Sequence, residues 1–194
     1  MSVSNPLPQP VVLTYDDYCN LPADGQRYEL HDGEIEVTPA PRPQHQRVSR
    51  ELGFVLHAYV KREKLREIFY APIDVILART SVVQPDLVFV PASRRAIVTA
   101  RGIEGAPDLV VEILSSSTEQ HDRGWKLELY ARFGVEHYWI LDPAAGSFME
   151  YSLIDRVYRL RATYLAPATC QTALFPALDL PLADFPLLRD ARLL

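Results

Sequence analysis

Cysteine, long apolar runs and excess positive charge are all scarce in this chain of 194 residues. Its two cysteines, Cys19 and Cys170, lie far apart and lack the spacing of a zinc site or of a disulfide framework. No apolar run approaches the ~18 residues that a membrane helix needs. The N-terminal MSVSNPLPQP lacks the basic and apolar segments of a secretory signal. We therefore expect a soluble, cytoplasmic protein with no membrane partner.

The net charge of −5 disfavours tight, unassisted binding to a polyanion. Such binding depends on Lys and Arg side chains that neutralise phosphates. Basic clusters do occur, at residues 42–50, 61–66 and 94–101, but each alone is more simply interpreted as solvated surface. The apolar fraction of 48% is ordinary for a globular protein. We expect one domain, 1–194, with a core at about residues 12–164 and the C-terminal segment packed on it.

Residues 28–37 predict an N-terminal β-hairpin, because the dipeptide Asp32-Gly33 suits a two-residue turn. In that register four polar groups share one face: Glu29, His31, Glu34 and Glu36. This face could simply be the solvated side of an edge hairpin. Glu29 would nevertheless lie opposite Glu36, a like-charge pair that needs solvent, a cation or a lysine to relieve it.

The remaining elements predict an α/β fold. Apolar residues recur at helical spacing after Pro43, which indicates an amphipathic helix of about five turns. Strand-like runs follow at residues 68–77 (interrupted by Pro72), 86–90, 108–114 and 136–141. A capping box at residues 116–119 starts a helix that runs to Phe133 and ends at Gly134. A late hairpin is predicted at residues 148–153 and 156–164. The sum is a mixed sheet flanked by helices.

Two acids stand on neighbouring apolar runs. Asp86 follows Pro85 at the start of one run, and Glu112 lies inside the next. A charged Glu112 amid Val and Ile is costly to bury unless something pairs with it. If the two strands pair, the carboxylates converge into an oxygen site suited to Mg²⁺ or Mn²⁺. Such a metal can polarise a phosphodiester and acidify a bound water.

A lysine beside two such acids would orient the attacking water and offset charge on phosphorus. The place two residues after Glu112 is occupied by Leu114, which cannot do this. The first well-placed lysine is Lys126 on the next predicted helix, where it shares a face with Asp122 and Tyr130. From there it could reach back to both acids. From spacing alone, a surface Asp122–Lys126 ion pair is the favoured interpretation.

The sequence pattern leaves the roles of two further polar residues, His45 and Asp74, undecided. His45 lies one turn before Val48 on the inward stripe of its helix, where a histidine is more often a packing residue than a ligand. Asp74 begins the strand-like run before Asp86. It is either a third acid of the site or an ordinary residue at the start of a strand.

Seven motifs in order resemble the Uma-two family, bacterial restriction-endonuclease-like proteins of the PD-(D/E)XK nuclease superfamily. They are YELHDGEIEVTPAP, His45, APIDVIL, VQPDLVFV, APDLVVEILSSST, the stretch 122–130 and HYWILDP. The match covers about residues 12–155 with family-like spacing. It implies a restriction-endonuclease-like core.

The resemblance also implies a set of site residues. Asp86 and Glu112 match the two metal-binding acids of the superfamily. Lys126 matches a lysine that has moved from the strand to the following helix. The N-terminal motifs supply His45 and one of two glutamates, Glu29 or Glu34, which would complete the site.

What the resemblance implies about function is a metal-dependent endonuclease that uses Mg²⁺ or Mn²⁺ to hydrolyse DNA. A homodimer is expected, because nucleases of this kind often pair to cut both strands. Two alternatives remain. One is an inactive nucleic-acid-binding or protein-interaction module on the same fold. The other is a hydrolase of a phosphoester that is not a nucleic acid.

Overall fold

The computed structural model describes residues 11–185 of the chain. These form four α-helices: α1 Tyr15–Tyr18, α2 Pro43–Arg62, α3 Glu119–Arg123 and α4 Trp125–Phe133. The strands are β1 Arg27–His31, β2 Glu34–Thr38, β3 Arg66–Tyr70, β4 Val75–Ala78, β5 Ser81–Val83, β6 Leu87–Pro91, β7 Val98–Thr99, β8 Gly102–Glu104, β9 Leu109–Ile113, β10 His137–Asp142, β11 Ser147–Ile154, β12 Val157–Leu165, β13 Thr169–Gln171 and β14 Asp179–Pro181. Two short 3₁₀ turns cover Ala92–Ile97 and Leu182–Asp184. No helix in this part of the chain is both long and apolar enough to cross a membrane.

The strands confirm the predicted α/β class. Six of them form one sheet in the order β2-β1-β5-β4-β8-β7, and six others form a second sheet, here called the main sheet, in the order β12-β11-β10-β9-β6-β3. Both sheets mix parallel and antiparallel pairs. The predicted hairpin is present as β1 and β2, with Glu29 opposite Glu36. The late hairpin is present as β11 and β12.

Helices cover both faces of the main sheet. The predicted five-turn helix is α2, which starts with Pro43 in its first turn, where a missing N–H costs nothing. Its buried stripe, Val48, Leu52 and Leu56, joins one cluster with Val111 of β9. On the opposite face Leu129 of α4 joins a second cluster with alternate residues of the same strand. Apolar residues between 175 and 185 also lie in the first cluster, and residues 186–194 fall outside the described part.

Two predicted elements are divided in the structure. The run at residues 68–77 is two strands, with β3 in the main sheet and β4 in the other, because Pro72 cannot donate to a ladder. The helix predicted at residues 119–133 breaks at Gly124, whose φ of −108° and ψ of −110° are not helical. A Cβ at this glycine would lie 2.6 Å from the carbonyl oxygen of Gln120. The capping box is also wrong, because the helix begins after Thr118 without a side-chain cap. The left-handed C-cap at Gly134 is confirmed.

The main sheet brings the two predicted acids together. Strands β6 and β9 pair antiparallel, with Leu87 opposite Val111 and Val88 opposite Val110. The same register continued by one residue places Asp86 opposite Glu112. Since residues alternate across a sheet, Glu112 points to the side of Val110 and Leu114, which is the side of α4.

The two cysteines are expected to differ sharply in reactivity. Cys19 is exposed, whereas Cys170 is fully buried and burial raises the pKa of its thiol to about 12. Because the thiolate is the reactive form, only one thiol should react with dithiobis(nitrobenzoate) in the folded protein at about pH 8. Both should react after unfolding in guanidinium. Rapid reaction of two thiols under native conditions would contradict the burial of Cys170.

Candidate active site

Lys126 of α4 lies at the centre of a buried acidic cluster. Its Nζ is 3.1 Å from Glu29 Oε1, 3.2 Å from Glu112 Oε1 and 3.4 Å from Asp122 Oδ1. The lysine is 4% exposed and the three acids 1–3%. The prediction of a surface ion pair is therefore wrong. Asp122 and Lys126 do form a pair, but the pair is buried, and the amine is shared with Glu29 of β1 and Glu112 of β9. Three elements, β1, β9 and α3, each contribute one carboxylate to this amine of α4.

Asp86 is held by β9 and by α2. Its Oδ2 accepts a hydrogen bond from the Ile113 backbone N–H at 2.8 Å and lies 3.0 Å from His45 Nε2. His45 is in the first turn of α2 and is 9% exposed. The structure thus brings His45 to the carboxylate of Asp86, as the resemblance implied, although its position on an inward stripe also fits packing.

Tyr130 fixes the orientation of Glu112. Its hydroxyl donates a hydrogen bond of 2.8 Å to Glu112 Oε1, the same oxygen that faces Lys126. Asp122 and Tyr130 share the face of Lys126 in the sequence pattern, but that pattern alone does not assign them to the site. The signal was present in their spacing, because residues four apart on a helix lie one above the other.

The two candidate glutamates of the hairpin are separated by strand order. Glu29 lies on β1, an inner strand between β2 and β5, and is 1% exposed. Its Oε1 also accepts a hydrogen bond from the Gln84 backbone N–H at 2.7 Å. Glu34 begins β2, the edge strand, is exposed, and lies opposite His31 next to the turn. The structure does not bring Glu34 to the cluster, and Glu29 is the glutamate that enters it.

Asp74 lies outside the carboxylate cluster. It precedes β4, and its Oδ1 accepts hydrogen bonds from the Tyr18 hydroxyl at 2.9 Å and from Gln84 Nε2 at 2.8 Å. Gln84 in turn contacts Glu29 and Arg27. Asp74 therefore supports the neighbourhood of the site without joining the acids around Lys126.

The cluster opens into a cavity of about 160 Å³. Asp86, Glu112, Asp122 and Lys126 line its acidic part. The rest of the lining includes two arginines, Arg27 and Arg42, residues 38–41, and three hydroxyl side chains of the loop before α3, Ser115, Ser117 and Thr118. The buried carboxylate cluster is thus connected to solvent through a rim that carries positive charge and hydroxyl groups.

Burial and like charge shift the titration of the cluster. Burial raises the pKa of Glu112 well above 4.5, although the nearby Lys126 ammonium opposes this. Burial also raises the pKa of Asp122. For Lys126, burial alone would lower the pKa, but the carboxylates of Glu112, Glu29 and Asp122 outweigh it and raise that pKa well above 10.5. Lys126 is therefore an ammonium at neutral pH, surrounded by more acids than it can neutralise.

The raised pKa of Glu112 predicts that the contribution of this residue to stability falls as pH rises. The folded protein holds a proton on Glu112 that the unfolded chain releases near pH 4.5, so ionisation above that pH costs folded-state stability. In EDTA, the melting temperature of Glu112→Gln should rise relative to that of wild type as the pH is raised from about 4.5. Glu34→Gln, a change at an exposed glutamate, should follow wild type. Parallel curves for wild type and Glu112→Gln would contradict the shift.

The donor set fits a magnesium-like cation that keeps part of its water shell. Within residues 11–185, no group of three or more His, Cys, Asp or Glu side chains is arranged as a complete metal site. Both residues line the cavity, and the bonds above use only Oδ2 of Asp86 and Oε1 of Glu112, so the second oxygen of each carboxylate takes no part in them. Mg²⁺ is commonly bound by one or two carboxylates, waters and substrate phosphates, whereas structural zinc takes four protein ligands.

Comparisons with known proteins agree with this fold. A sequence profile described as "Putative restriction endonuclease", Uma2, matches residues 15–183. The crystal structure of a protein from Anabaena variabilis, described as a putative nuclease of the DUF820 group, is 22% identical and has a TM-score of 0.74. The match covers 90% of this chain and 97% of that one, and at this identity it shows the fold alone. No protein with a curated description matches the chain. Because this profile matches most of its length, the chain belongs to the Uma2 family.

Proposed function

We propose that this protein is a metal-dependent endonuclease that hydrolyses phosphodiester bonds of DNA, with Mg²⁺ or Mn²⁺ as the metal. One observation carries the proposal. Asp86 directly precedes β6 and is hydrogen-bonded to β9 next to Glu112, and the Lys126 amine is 3.2 Å from Glu112 in the same cavity. Membership of the Uma2 family supports a nuclease on independent grounds.

Asp86 and Glu112 are the residues that would hold the cation. When bound, the cation supplies polarisation of the phosphodiester and acidifies a water. The protein holds both carboxylates in one orientation: His45 and the Ile113 N–H fix Asp86, and Tyr130 fixes Glu112. Such support determines how precisely a site is preorganised.

Lys126 acts as a donor of positive charge and hydrogen bonds. Because its pKa is raised well above 10.5, it cannot serve as a general base at neutral pH. Its ammonium can orient the attacking water and offset the negative charge that develops on the phosphate oxygens. Glu29 and Asp122 hold the amine in place, so a lysine on a helix replaces the strand lysine that Leu114 excludes.

The arginines of the rim supply local positive charge, although the net charge of the chain is −5. Arg42 stands at the start of α2, and Arg27 donates to the Gln84 carbonyl oxygen at 2.8 Å, so both line the cavity beside the acids. An arginine guanidinium matches the geometry of phosphate oxygens. Local positive charge at the mouth of the cavity can therefore receive a phosphate although the whole chain is acidic.

Nicking of supercoiled plasmid tests the proposal. The purified protein should convert supercoiled to open-circular DNA in Mg²⁺ or Mn²⁺ and stop when EDTA is added. Cleavage that persists in EDTA would remove the metal from the mechanism. Preparations should be compared with a protein purified in parallel that carries Asp86→Ala, because equal cleavage by both would reveal a contaminating nuclease and contradict the proposal.

A binding module on a nuclease fold is the second candidate. It is favoured by the tight hold on Lys126, whose amine contacts three carboxylates, and by the lack of a complete ligand trio in residues 11–185. A gel-shift assay, run beside the nicking assay, separates the two candidates. Retarded migration of DNA on a gel with no cleavage in Mg²⁺ or Mn²⁺ would select the binding module.

A further inference from the structure

A second cavity of about 450 Å³ adjoins the one that holds the acids. It is lined by residues 25–27 and 37–41, which belong to the approach to β1, the end of β2 and the loop that leads to α2. Five of its lining residues, Arg27 and residues 38–41, line the acidic cavity as well. A ligand that occupies both cavities would therefore pass along these shared residues.

The chemistry of the second cavity differs from that of the first. Val37, Pro39, Ala40 and Pro41 give it a mainly apolar lining, and these residues carry no acid. Val37 is 48% exposed, so the sheet leaves this apolar surface open to solvent. Its volume falls in the range of about 300–1,000 Å³ typical of small-ligand sites. An apolar, partly flat group fits it better than a phosphate or a metal.

Arg27 gives this cavity its one charged group among residues 25–27 and 37–41. The guanidinium donates to the Gln84 carbonyl oxygen at 2.8 Å and to Gln84 Oε1 at 3.3 Å, so its plane is fixed. A fixed guanidinium plane stacks on aromatic rings and can also pair with a phosphate oxygen. A ligand with a flat ring next to a phosphate satisfies both properties, and a nucleotide has both.

We propose that this cavity, here called the base slot (residues 25–27 and 37–41), receives one unstacked nucleobase while the phosphate attached to it lies at Asp86 and Glu112. The inference rests on the proposed nuclease function and names its substrate class. A base inside a perfect duplex must leave the stack before it can enter such a slot. Single-stranded or locally unpaired DNA is therefore the preferred substrate, bound through stacking that tolerates different bases.

The first test compares binding of oligonucleotides that carry 2-aminopurine, whose fluorescence rises when the base is unstacked. Binding is measured in Ca²⁺ with a single strand, a duplex with one mismatch and a perfect duplex. We expect the single strand and the mismatch to bind about tenfold more tightly than the perfect duplex, a ratio typical of losing one base–aromatic or base–guanidinium contact. Equal binding of all three would overturn the base slot.

Val37→Trp tests the slot itself. Of the two cavities, Val37 lines the second and not the first, and it is half exposed, so a bulkier side chain fills the slot without entering the core. Binding of the single strand should weaken about tenfold. Val157→Trp is the matched control, since Val157 is 52% exposed on β12 and lines neither cavity. If Val37→Trp does not fold by circular dichroism, Gln26→Trp fills the same slot from an exposed position.

The outcomes distinguish the slot from the nuclease. Loss of single-strand binding in Val37→Trp, with no cleavage by any form, keeps the slot and rejects the nuclease. Wild-type binding in both slot variants, with metal-dependent nicking intact, rejects the slot and keeps the nuclease. Equal losses in Val37→Trp and Val157→Trp would show a general effect of added tryptophan and would also reject the slot.

Discussion

Lys126→Met is expected to abolish cleavage and to lower the free energy of unfolding by about 3 kcal/mol. Among residues 11–185, the lysine amine is the one cation that forms ion pairs with Glu29, Glu112 and Asp122, all buried. Removing it leaves buried carboxylates uncompensated, which is costlier than the loss of any exposed ion pair. Urea unfolding in EDTA measures the stability. Cleavage rates are then compared at a temperature where the variant is folded.

Two further variants separate charge balance from catalysis in the Lys126 experiment. Glu29→Gln combined with Lys126→Met should recover part of the lost stability, because one buried charge fewer is left unpaired, and should stay inactive. Lys61→Met removes an exposed lysine of α2 and should change stability by no more than about 0.5 kcal/mol. Wild-type stability or wild-type cleavage in Lys126→Met would contradict the role given to this amine.

Asp86→Asn is expected to reduce the cleavage rate by a factor on the order of 10³ or more. Asparagine keeps the shape of the side chain and an oxygen that can accept from the Ile113 N–H, so the fold should survive. What it loses is the negative charge needed to hold a divalent cation next to Glu112. Initial rates on a labelled oligonucleotide in Mg²⁺ give the measurement, with circular dichroism as the check on folding.

Asp74→Asn is the matched control for Asp86→Asn. Asp74 is also an acid that precedes a strand, and it bonds Tyr18 and Gln84 rather than Lys126. Its variant should cleave at nearly the wild-type rate. If Asp74→Asn loses as much activity as Asp86→Asn, the site extends further than the carboxylate cluster. If neither loses activity, Asp86 is not a metal ligand.

Local patterns predicted the parts of the site that depend on neighbouring residues. The Asp32-Gly33 turn set the hairpin register, and the period of apolar residues set α2 and the inward position of His45. The convergence of Asp86 and Glu112 followed from the pairing of β6 with β9, two apolar strands between which the only other strands in the sequence are the short β7 and β8. In each case the information lies within one element or in two strands that are close in the sequence.

Long-range packing decided what spacing could not. The spacing of Asp122 and Lys126 is the same whether their ion pair is solvated or buried. In the structure the pair is buried, because β1, which is far away in the sequence, brings Glu29 to the lysine amine. The choice between Glu29 and Glu34 likewise depends on which hairpin strand pairs with β5. The break at Gly124 follows from the tight approach to Gln120. The homodimer inferred from the resemblance stays a prediction.

The central claim is that Asp86 and Glu112 jointly hold the divalent cation of a nuclease site. Titration calorimetry with Mn²⁺ tests it directly, on wild type and on the double variant Asp86→Ala/Glu112→Ala. Wild type is predicted to bind Mn²⁺ in the absence of DNA, and the folded double variant to bind none. Unchanged Mn²⁺ binding after removal of both carboxylates would show that these acids are not the metal site and would contradict the account.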